Sequence, residues 1–572
     1  MKLTGAEILV RALQAQGVEV LFGIPGAKTL HLHDALSRSP LRHILVRHEQ
    51  GAAHAADGYA RASGRVGVCL STSGPGATNL VTGIATAQMD SIPLVAITCQ
   101  VEMDAIGTDA FQEADMTGIT RSITKHNGLV SSVDRIEGAV AEAFHVASTG
   151  RPGAVLLDIP SCVLKARGDY RGSATVDRVG YRPTLDGHPM QIRRAAEALA
   201  QAERPLLYVG GGVIASGASE EVRMLAERAD LPVVCTLLGL GGFPGTHPLF
   251  VGMLGMYGSH AANKAVQHSD LILAVGARFD DRATGNAARF APDARIIHID
   301  IDPAEIGKNV RVDIPIVGDA RRVVRQLLEA IKPCDHGAWI ETVDGYRRDH
   351  PYPPAREGIL TQQATVEAIC RRVAGRAVVA TDVGLHQMFV ARHIPFDSPR
   401  NILTSGGLGT MGYGLPAAMG AAFARPGEMV VAVCGDGSFL MNMQELATIA
   451  EHGLPVKAIV LNNRNLGMVR QFQRLYFESN FTAIHQPPQI DFTLIARGLG
   501  VEAARVTDPE EMAKALDRAL AHPGPFVLEV ETDAAEEVLP MVPPGGSLSE
   551  MTYGEESAAP PRGIEEELSG PR

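Results

Sequence analysis

The chain has 572 residues, of which 45% are hydrophobic and 20% charged. That balance suits several globular domains, about four on a soft prior of ~150 residues each. The formal net charge is -12 with no basic cluster, which argues against a nucleic-acid surface; the seven cysteines form no CxxC pair and no run reads as a membrane span, so the expected location is a reducing cytoplasm.

In chain order, Thr4 and Glu7 have the spacing of a capping box and open an amphipathic helix where a signal peptide would stand. A rhythm follows of short β-branched runs, Gly/Pro-rich turns and Ala-rich helices. Predicted strands are Val18–Phe22, Val66–Leu70, Leu94–Thr98, Val155–Ile159, Leu206–Val209, Leu271–Val275, Ile296–Ile299, Ala377–Ala380, Met429–Val433, Val456–Leu461 and Phe526–Val530. Apolar strands alternating with helices predict an α/β fold of doubly wound parallel sheets. Residues 166–190 and 333–362 are polar and Gly/Pro-bearing and read as linkers. Three α/β domains are therefore expected, at 1–165, 190–332 and 363–542, followed by a mobile tail at 543–572. The first and third share a rhythm, as a duplicated fold would.

The residues that carry chemistry sit where these strands end. Gly435-Asp436-Gly437-Ser438 closes one apolar run, and Asn462-Asn463 closes the next. Two oxygen ligands at adjacent strand ends suit a hard divalent cation and, through it, a diphosphate, with the main-chain carbonyl of Asn465 completing the protein's share. Gly435 and Gly437 allow close main-chain approach, and the following helix offers free N–H groups. Glu49, in Arg47-His48-Glu49-Gln50-Gly51, follows the strand-like Ile44–Val46 and opens the helix His54–Ala62. Taken alone, it could equally be a helix-start acid favoured by the dipole. Thr404–Pro416 is glycine-rich and ends in a helix. Gly210-Gly211-Gly212, Gly276–Gly285, His298–Pro303 and Gly318-Asp319 mark further strand ends, although no G-x-G-x-x-G spacing occurs.

The Gly435–Asn463 segment resembles the binding motif of thiamine-diphosphate-dependent enzymes, and the resemblance extends over nearly the whole chain. It implies an aminopyrimidine-binding, a central and a diphosphate-binding domain. Within this family the chain is most similar to the acetolactate (acetohydroxyacid) synthase catalytic subunits, on the strength of Arg278-Phe-Asp-Asp-Arg282-Ala-Thr-Gly285. The resemblance implies Glu49 as the catalytic acid at N1′ of the aminopyrimidine. It implies Pro25, Gly26, Val383, Gly384, His386, Gly409, Met411, Gly435, Asp436, Gly437, Ser438, Asn463, Asn465, Gly467 and Met468 around thiamine diphosphate, with Met411 propping its bent form and Mg²⁺ on Asp436, Asn463 and Asn465. For FAD, in a structural role, it implies Arg151, Gly210, Gly211, Gly212, Gly255, Met256, Gly276, Arg278, Asp280, Arg282, Asp300, Ile301, Gly318 and Asp319. For substrate it implies Ala27, Phe111, Gln112, Lys125 and Phe472.

The implied activity decarboxylates pyruvate and ligates the hydroxyethyl group to a second 2-oxo acid, giving 2-acetolactate or 2-aceto-2-hydroxybutanoate on the route to branched-chain amino acids. The implied assembly is a homodimer or dimer of dimers with a regulatory small subunit. The chain departs from the family at Glu102 and Asp104, where relatives carry a basic lip, at Leu385 in place of Gln, and at Phe472 in place of Trp. Those departures leave the acceptor open. They keep two alternatives in view: a relative acting on another 2-oxo acid, and a silent cofactor-binding homologue. A dehydrogenase fits less well, because it lacks the fingerprint spacing.

Overall fold

Three six-stranded sheets organise the chain, and within each every strand runs parallel to its neighbours. The inner strands are apolar on both faces and fully buried, as in Leu94–Gln100, Leu271–Val275 and Val456–Asn462, so helices must cover both sides of each sheet. A computed structural model describes residues 1–172, 176, 180–373 and 375–554.

In the N-terminal sheet the spatial order is Arg42–Leu45, Val20–Gly23, Gly67–Ser71, Leu94–Gln100, Ala154–Pro160, His126–Leu129. The C-terminal sheet runs Ile402–Leu403, Ala377–Thr381, Met429–Gly435, Val456–Asn462, Phe526–Glu531, Glu502–Val506. Numbered within each domain, both orders are 2-1-3-4-6-5, so the shared rhythm of the two domains is a shared topology. The central sheet runs Phe250–Met253, Val233–Cys235, Pro205–Val209, Leu271–Val275, Arg295–Asp300, Ile314–Val317. That is the 3-2-1-4-5-6 order of dinucleotide-binding sheets.

Two segments read as linkers are partly structured. Arg167–Asp169 pairs antiparallel with Lys2–Thr4 and closes the first domain; residues 173–175 and 177–179 of the same segment lie outside the described residues. Gly337–Asp349 is a helix on the central domain, anchored by Trp339, whose indole N–H donates to Pro205 O at 3.0 Å. The helix stops just before His350-Pro351, since a residue preceding proline is disfavoured in the helical region. The Pro-rich stretch that signals a linker is thus the end of a helix.

The tail expected to leave the globule at 543 stays packed through 554. Leu548 is buried, Val542 N–H donates to Met256 O at 2.8 Å, and Gln267 Nε2 donates to Ser547 Oγ at 2.8 Å. Buried apolar residues among the Gly and Ser of this segment hold it down. Residues 555–572 lie outside the described residues.

The first and third domains meet along two helices, Glu49–Ser63 and Gly414–Ala424. Both are Ala/Gly-rich because neither has a free face. A Cβ on Gly58 would stand 2.2 Å from Ala417 O, and one on Gly420 would stand 1.9 Å from Ala55 O. Gly58→Ala or Gly420→Ala should therefore force the helices apart at a cost of about 1–3 kcal/mol. We expect a lower urea midpoint for either variant; two midpoints equal to the parent's would show that the helices are not held at contact.

Candidate active site

In each sheet, two neighbouring strands send their connections in opposite directions, and the crevice at their carboxyl ends is where such folds bind ligands. In the C-terminal domain these strands are Ala377–Thr381 and Met429–Gly435, so the crevice is edged by Asp382-Val383-Gly384 and Gly435-Asp436. In the N-terminal domain they are Val20–Gly23 and Gly67–Ser71, with Pro25-Gly26 and Thr72–Gly74 at the edge.

Asp436 heads the helix Asp436–Asn442 and is buried. Its Oδ1 accepts from Gly437 N at 2.8 Å, while Oδ2 finds no partner among the described residues. Burial pushes its carboxyl up to about 7, against the pull of neighbouring main-chain N–H groups. On the next strand end, Asn465 N donates to Asn463 Oδ1 at 3.1 Å and Asn465 Nδ2 to Asn463 O at 2.8 Å. Arg464, at φ 56, turns the chain so that both asparagines face inward, and Asn465 Oδ1 is the second buried oxygen without a partner. Two orphaned oxygens, one charged and one neutral, fit a small hard cation. The side-chain oxygen of Asn465 joins the main-chain carbonyl expected from the sequence as a candidate ligand.

The glycine-rich segment is built around an acid that sequence reasoning missed. Asp382 accepts from Gly412 N at 2.9 Å and from Gly414 N at 3.0 Å, which ties the loop to the strand end. Gly409 and Gly412 adopt φ 69 and 88, conformations that favour glycine. The loop sets Met411 so that its Cε lies 3.7 Å from where a Cβ on Gly437 would stand, with Leu466 and Gln486 closer still. Any side chain at Gly437 would fill this cradle. The ring of His386 packs on Gly384 and Gly435; burial lowers its pKa to about 3, so it is a neutral imidazole, and its Nε2 has no partner among the described residues. Ser438 and Gly435 hydrogen-bond to each other at 3.2 Å. Gly467 packs on the buried Leu385 and begins the helix Gly467–Tyr476 that carries Met468 and Phe472.

The N-terminal half collects around Glu49, the first residue of the helix Glu49–Ser63. Glu49 is buried and its Oε2 accepts from Asn79 Nδ2 at 3.0 Å. Gly76 lies against Oε1, and Gly26 lies against Thr72. The hydroxyls of Ser71, Thr72 and Ser73 are buried without partners among the described residues, a polar wall beside the glutamate. Gln112, at φ 62, packs on Gly74, so it belongs to this group, while Phe111 is 85% exposed beside it. Ala27 begins the short turn after Gly26. Lys125 does not join: its ammonium donates to Val146 O, Thr149 O and Tyr181 OH.

In the central domain the crevice lies between Pro205–Val209 and Leu271–Val275, at Gly210–Gly212 and Gly276. These glycines interlock: a Cβ on Gly210 would stand 2.2 Å from Gly276 O, and one on Gly212 would stand 2.6 Å from Gly276 Cα. Asp300 ends the next strand, burial raising its carboxyl to about 6, and Ile301 follows. Gly318 N–H donates to Asp300 O at 2.9 Å. Met256 N–H donates to Arg282 O, so Gly255-Met256 joins the Arg278–Gly285 segment. Asp280 and Asp319 are spent as helix N-caps. Arg151 is tied to Glu305 at 2.6 Å, Asp302 at 3.3 Å and Ser91 at 2.8 Å, which makes it a bridge between domains. Four adjacent strand ends with one buried acid and close main-chain packing fit a dinucleotide better than a bare phosphate.

The sequence passed over Asp382, Asn79, Thr72 and Gln486. Asp382 carries the signal that found Asp436, an acid at a strand end, whereas Asn79 carries no local signal at all. Among the described residues no helix is long and apolar enough to cross a membrane.

Family models described as the N-terminal TPP binding, central and C-terminal TPP binding domains of thiamine pyrophosphate enzymes match residues 3–119, 192–327 and 382–530. Fold, crevices and matches together define the class, a three-domain thiamine pyrophosphate enzyme. The chain is 48% identical to the probable acetolactate synthase large subunit of Methanocaldococcus jannaschii, over 96% of this chain and 95% of that one. It is 47% identical to the acetolactate synthase large subunit of Corynebacterium glutamicum, over 99% and 94%, and 45% identical to that of Haemophilus influenzae, over 96% and 98%. The chain belongs to the acetolactate synthase large-subunit family.

Asp436→Asn keeps the shape of the cradle and removes its charge. A charged contact is worth about 1.5–3 kcal/mol, so cation-dependent thiamine diphosphate affinity should fall at least about tenfold, as read by calorimetry. Unchanged affinity would remove Asp436 from the site.

Proposed function

We propose that the protein is an acetolactate synthase that uses thiamine diphosphate, Mg²⁺ and a structural FAD. The observation that carries this reading is the C-terminal crevice, where Asp436 Oδ2 and Asn465 Oδ1 stand unpartnered beside Met411 and a glycine whose Cβ would crowd the ends of Leu466 and Gln486. Near full-length likeness to acetolactate synthases supports the choice of reaction. Two pyruvates and a proton give 2-acetolactate and CO₂; with 2-oxobutanoate as acceptor the product is 2-aceto-2-hydroxybutanoate.

Bound thiamine diphosphate supplies the electron sink for decarboxylation and the nucleophilic carbon for the ligation. The protein's part is to hold that cofactor and exclude water. Asp436, Asn463 and Asn465 would hold Mg²⁺ and through it the diphosphate, with the main chain at Gly435 and Gly437 close against it. Met411 would press on the cofactor between its rings, and His386 would meet the diphosphate as a neutral donor. Glu49 would hold a proton at N1′ of the aminopyrimidine, in a pocket whose other polar groups are uncharged hydroxyls and Asn79. Gln112 and Phe472 would face the 2-oxo acids. The central crevice at Gly210–Gly212, Gly276 and Asp300 would take FAD.

Each chain holds Glu49 in one domain and the Mg²⁺ cradle in another, and we read the complete site as shared between two chains of a homodimer or dimer of dimers, with a regulatory small subunit as a further partner. Four buried free thiols support a reducing, cytoplasmic setting.

Product analysis tests the reaction: pyruvate alone should give 2-acetolactate, and added 2-oxobutanoate should divert the product to 2-aceto-2-hydroxybutanoate. Pyruvate consumed without either product would defeat the assignment. Glu49→Gln should lower turnover at least about tenfold with cofactor bound, in line with typical acid–base contributions; full turnover would take Glu49 out of the mechanism.

A further inference from the structure

Glu445 is fully buried, and the function described above gives it no task. It begins the helix Glu445–Glu451 of the C-terminal domain, yet its carboxylate faces the N-terminal domain. Arg47 N donates to Oε1 at 3.0 Å and to Oε2 at 3.2 Å, and His48 N donates to Oε1 at 3.1 Å. Thr448 Oγ1 steadies Oε2 at 3.2 Å. A Cβ on Gly51 would stand 2.5 Å from Oε1, so the carboxylate has room only because residue 51 is glycine.

The two amides it binds belong to the two residues directly before Glu49. The main chain here turns from strand to helix, and amides at a helix start have no partner within the helix. His48 is the N-cap, its Nδ1 accepting from Gln50 N at 3.0 Å. The carboxylate of another domain therefore supplies the acceptor for the amides of the cap and of the residue before it. A carboxyl group is a costly way to fill a packed junction, since burial there disfavours its charged form. Its presence points to a positional task.

We propose that Glu445 is a positioning residue for Glu49: it clamps the Arg47-His48 turn and so fixes where the Glu49 carboxylate stands against the cofactor. This rests on the reading of Glu49 as the acid at N1′. Glu445→Gln could keep both amides on a carbonyl at the Oε1 position, whereas Glu445→Met keeps the length of the side chain and removes both acceptor oxygens. Both backbone donors then lose their partner and the turn must shift. A displacement of 1 Å near reacting atoms costs on the order of 10²-fold.

The test uses the full chain with thiamine diphosphate and Mg²⁺, and reads exchange of the cofactor C2 proton with deuterated solvent by NMR. Parent, Glu445→Met, Glu49→Gln and the double variant are compared, with cofactor affinity and unfolding midpoint measured alongside. Glu445→Met should slow exchange by about tenfold to a hundredfold, with cofactor affinity within about twofold of the parent's. Because Glu445 acts through Glu49, the double variant should be no slower than Glu49→Gln alone. Parent-like exchange in Glu445→Met, or a double variant slower by the product of the two single effects, overturns the proposal. Parent-like exchange in Glu49→Gln overturns the Glu49 assignment itself, and this proposal with it. Should Glu445→Met not fold, Gly51→Ala displaces the same carboxylate from the other side; it should slow exchange in the same direction, and parent-like exchange there overturns the clamp.

Discussion

A guanidinium held between two carboxylates joins the first domain to the third. Arg61 donates to Asp57 at 2.6 Å and to Asp90 at 2.7 Å, and all three side chains are buried. Asp57 also accepts from Tyr413 OH at 2.6 Å; Asp90 also accepts from Gly406 N at 3.0 Å and Gly407 N at 2.7 Å. Burial pushes the Asp57 carboxyl up, and the donors from Arg61 and Tyr413 oppose that push. Arg61 stays charged, and its face lies over the Tyr413 ring at 5.5 Å. Removing one member of such a set leaves a buried charge unmatched, at about 3–5 kcal/mol. The residues tied down this way, 406–413, are those that place Met411. Arg278 of the central domain donates to Met89 O at the same spot, so all three domains converge on the loop beside the candidate cofactor crevice.

That convergence explains the composition of the helix Glu49–Ser63. Its first residue is the candidate acid, Asp57 and Arg61 belong to the charge network, and Gly58 is the contact point with Ala417. A helix with these tasks has no solvent face, which accounts for its run of Ala and Gly where an exposed helix would carry Lys and Glu. The helix Gly414–Ala424 is its counterpart in the other domain, following the edge strand in the same 2-1-3-4-6-5 order. Two related domains thus meet through equivalent helices. The close approach brings carboxylates from each side, Asp90 and Glu445, onto main-chain amides of the other.

The inner strands were legible in the sequence because burial on both faces leaves uninterrupted apolar runs; Leu271–Val275 matches residue for residue. Apart from Val233–Cys235, buried and paired on both sides but only three residues long, the missed strands of the six-stranded sheets lie at the sheet margins. His126–Leu129 is half-buried and Glu502–Val506 alternates buried with exposed residues, so neither shows a run. Ile402–Leu403 is too short to register. Asp436 and Asn463, the candidate cation ligands, could be singled out because they follow strands directly. What sequence could not supply was contact across distance. Lys125 and Arg151 carry the charge expected of binding residues, but carbonyls and acids far along the chain engage them. Asp90 and Glu445 look like ordinary helix-end acids until the other domain is beside them.

The same point bears on the acidic lip. Glu102 seemed from the sequence to repel anionic keto acids, since relatives are basic there. In the fold Lys165 donates to it at 2.6 Å and Ser161 Oγ at 2.8 Å, and the Lys165 ammonium holds its carboxyl down to about 2. Glu102 is ionised, but its field is cancelled a few ångströms away by a residue the linear motif does not include. Glu113 likewise turns inward, accepting from Gly107 N and Ala110 N, and so closes its own loop. Only Asp104 remains of the reversal, exposed on a short turn where solvent and salt screen it. On the proposed function, discrimination between acceptors would then fall to shape and not to charge. Phe472, packed edge-on against Tyr476 at 5.5 Å, presents a smaller apolar wall than tryptophan would and no indole N–H. An apolar wall separates acceptors that differ by one methylene by only about 1–3 kcal/mol, so on the proposed reading of Phe472 as an acceptor contact that substitution would adjust a preference between pyruvate and 2-oxobutanoate without excluding either.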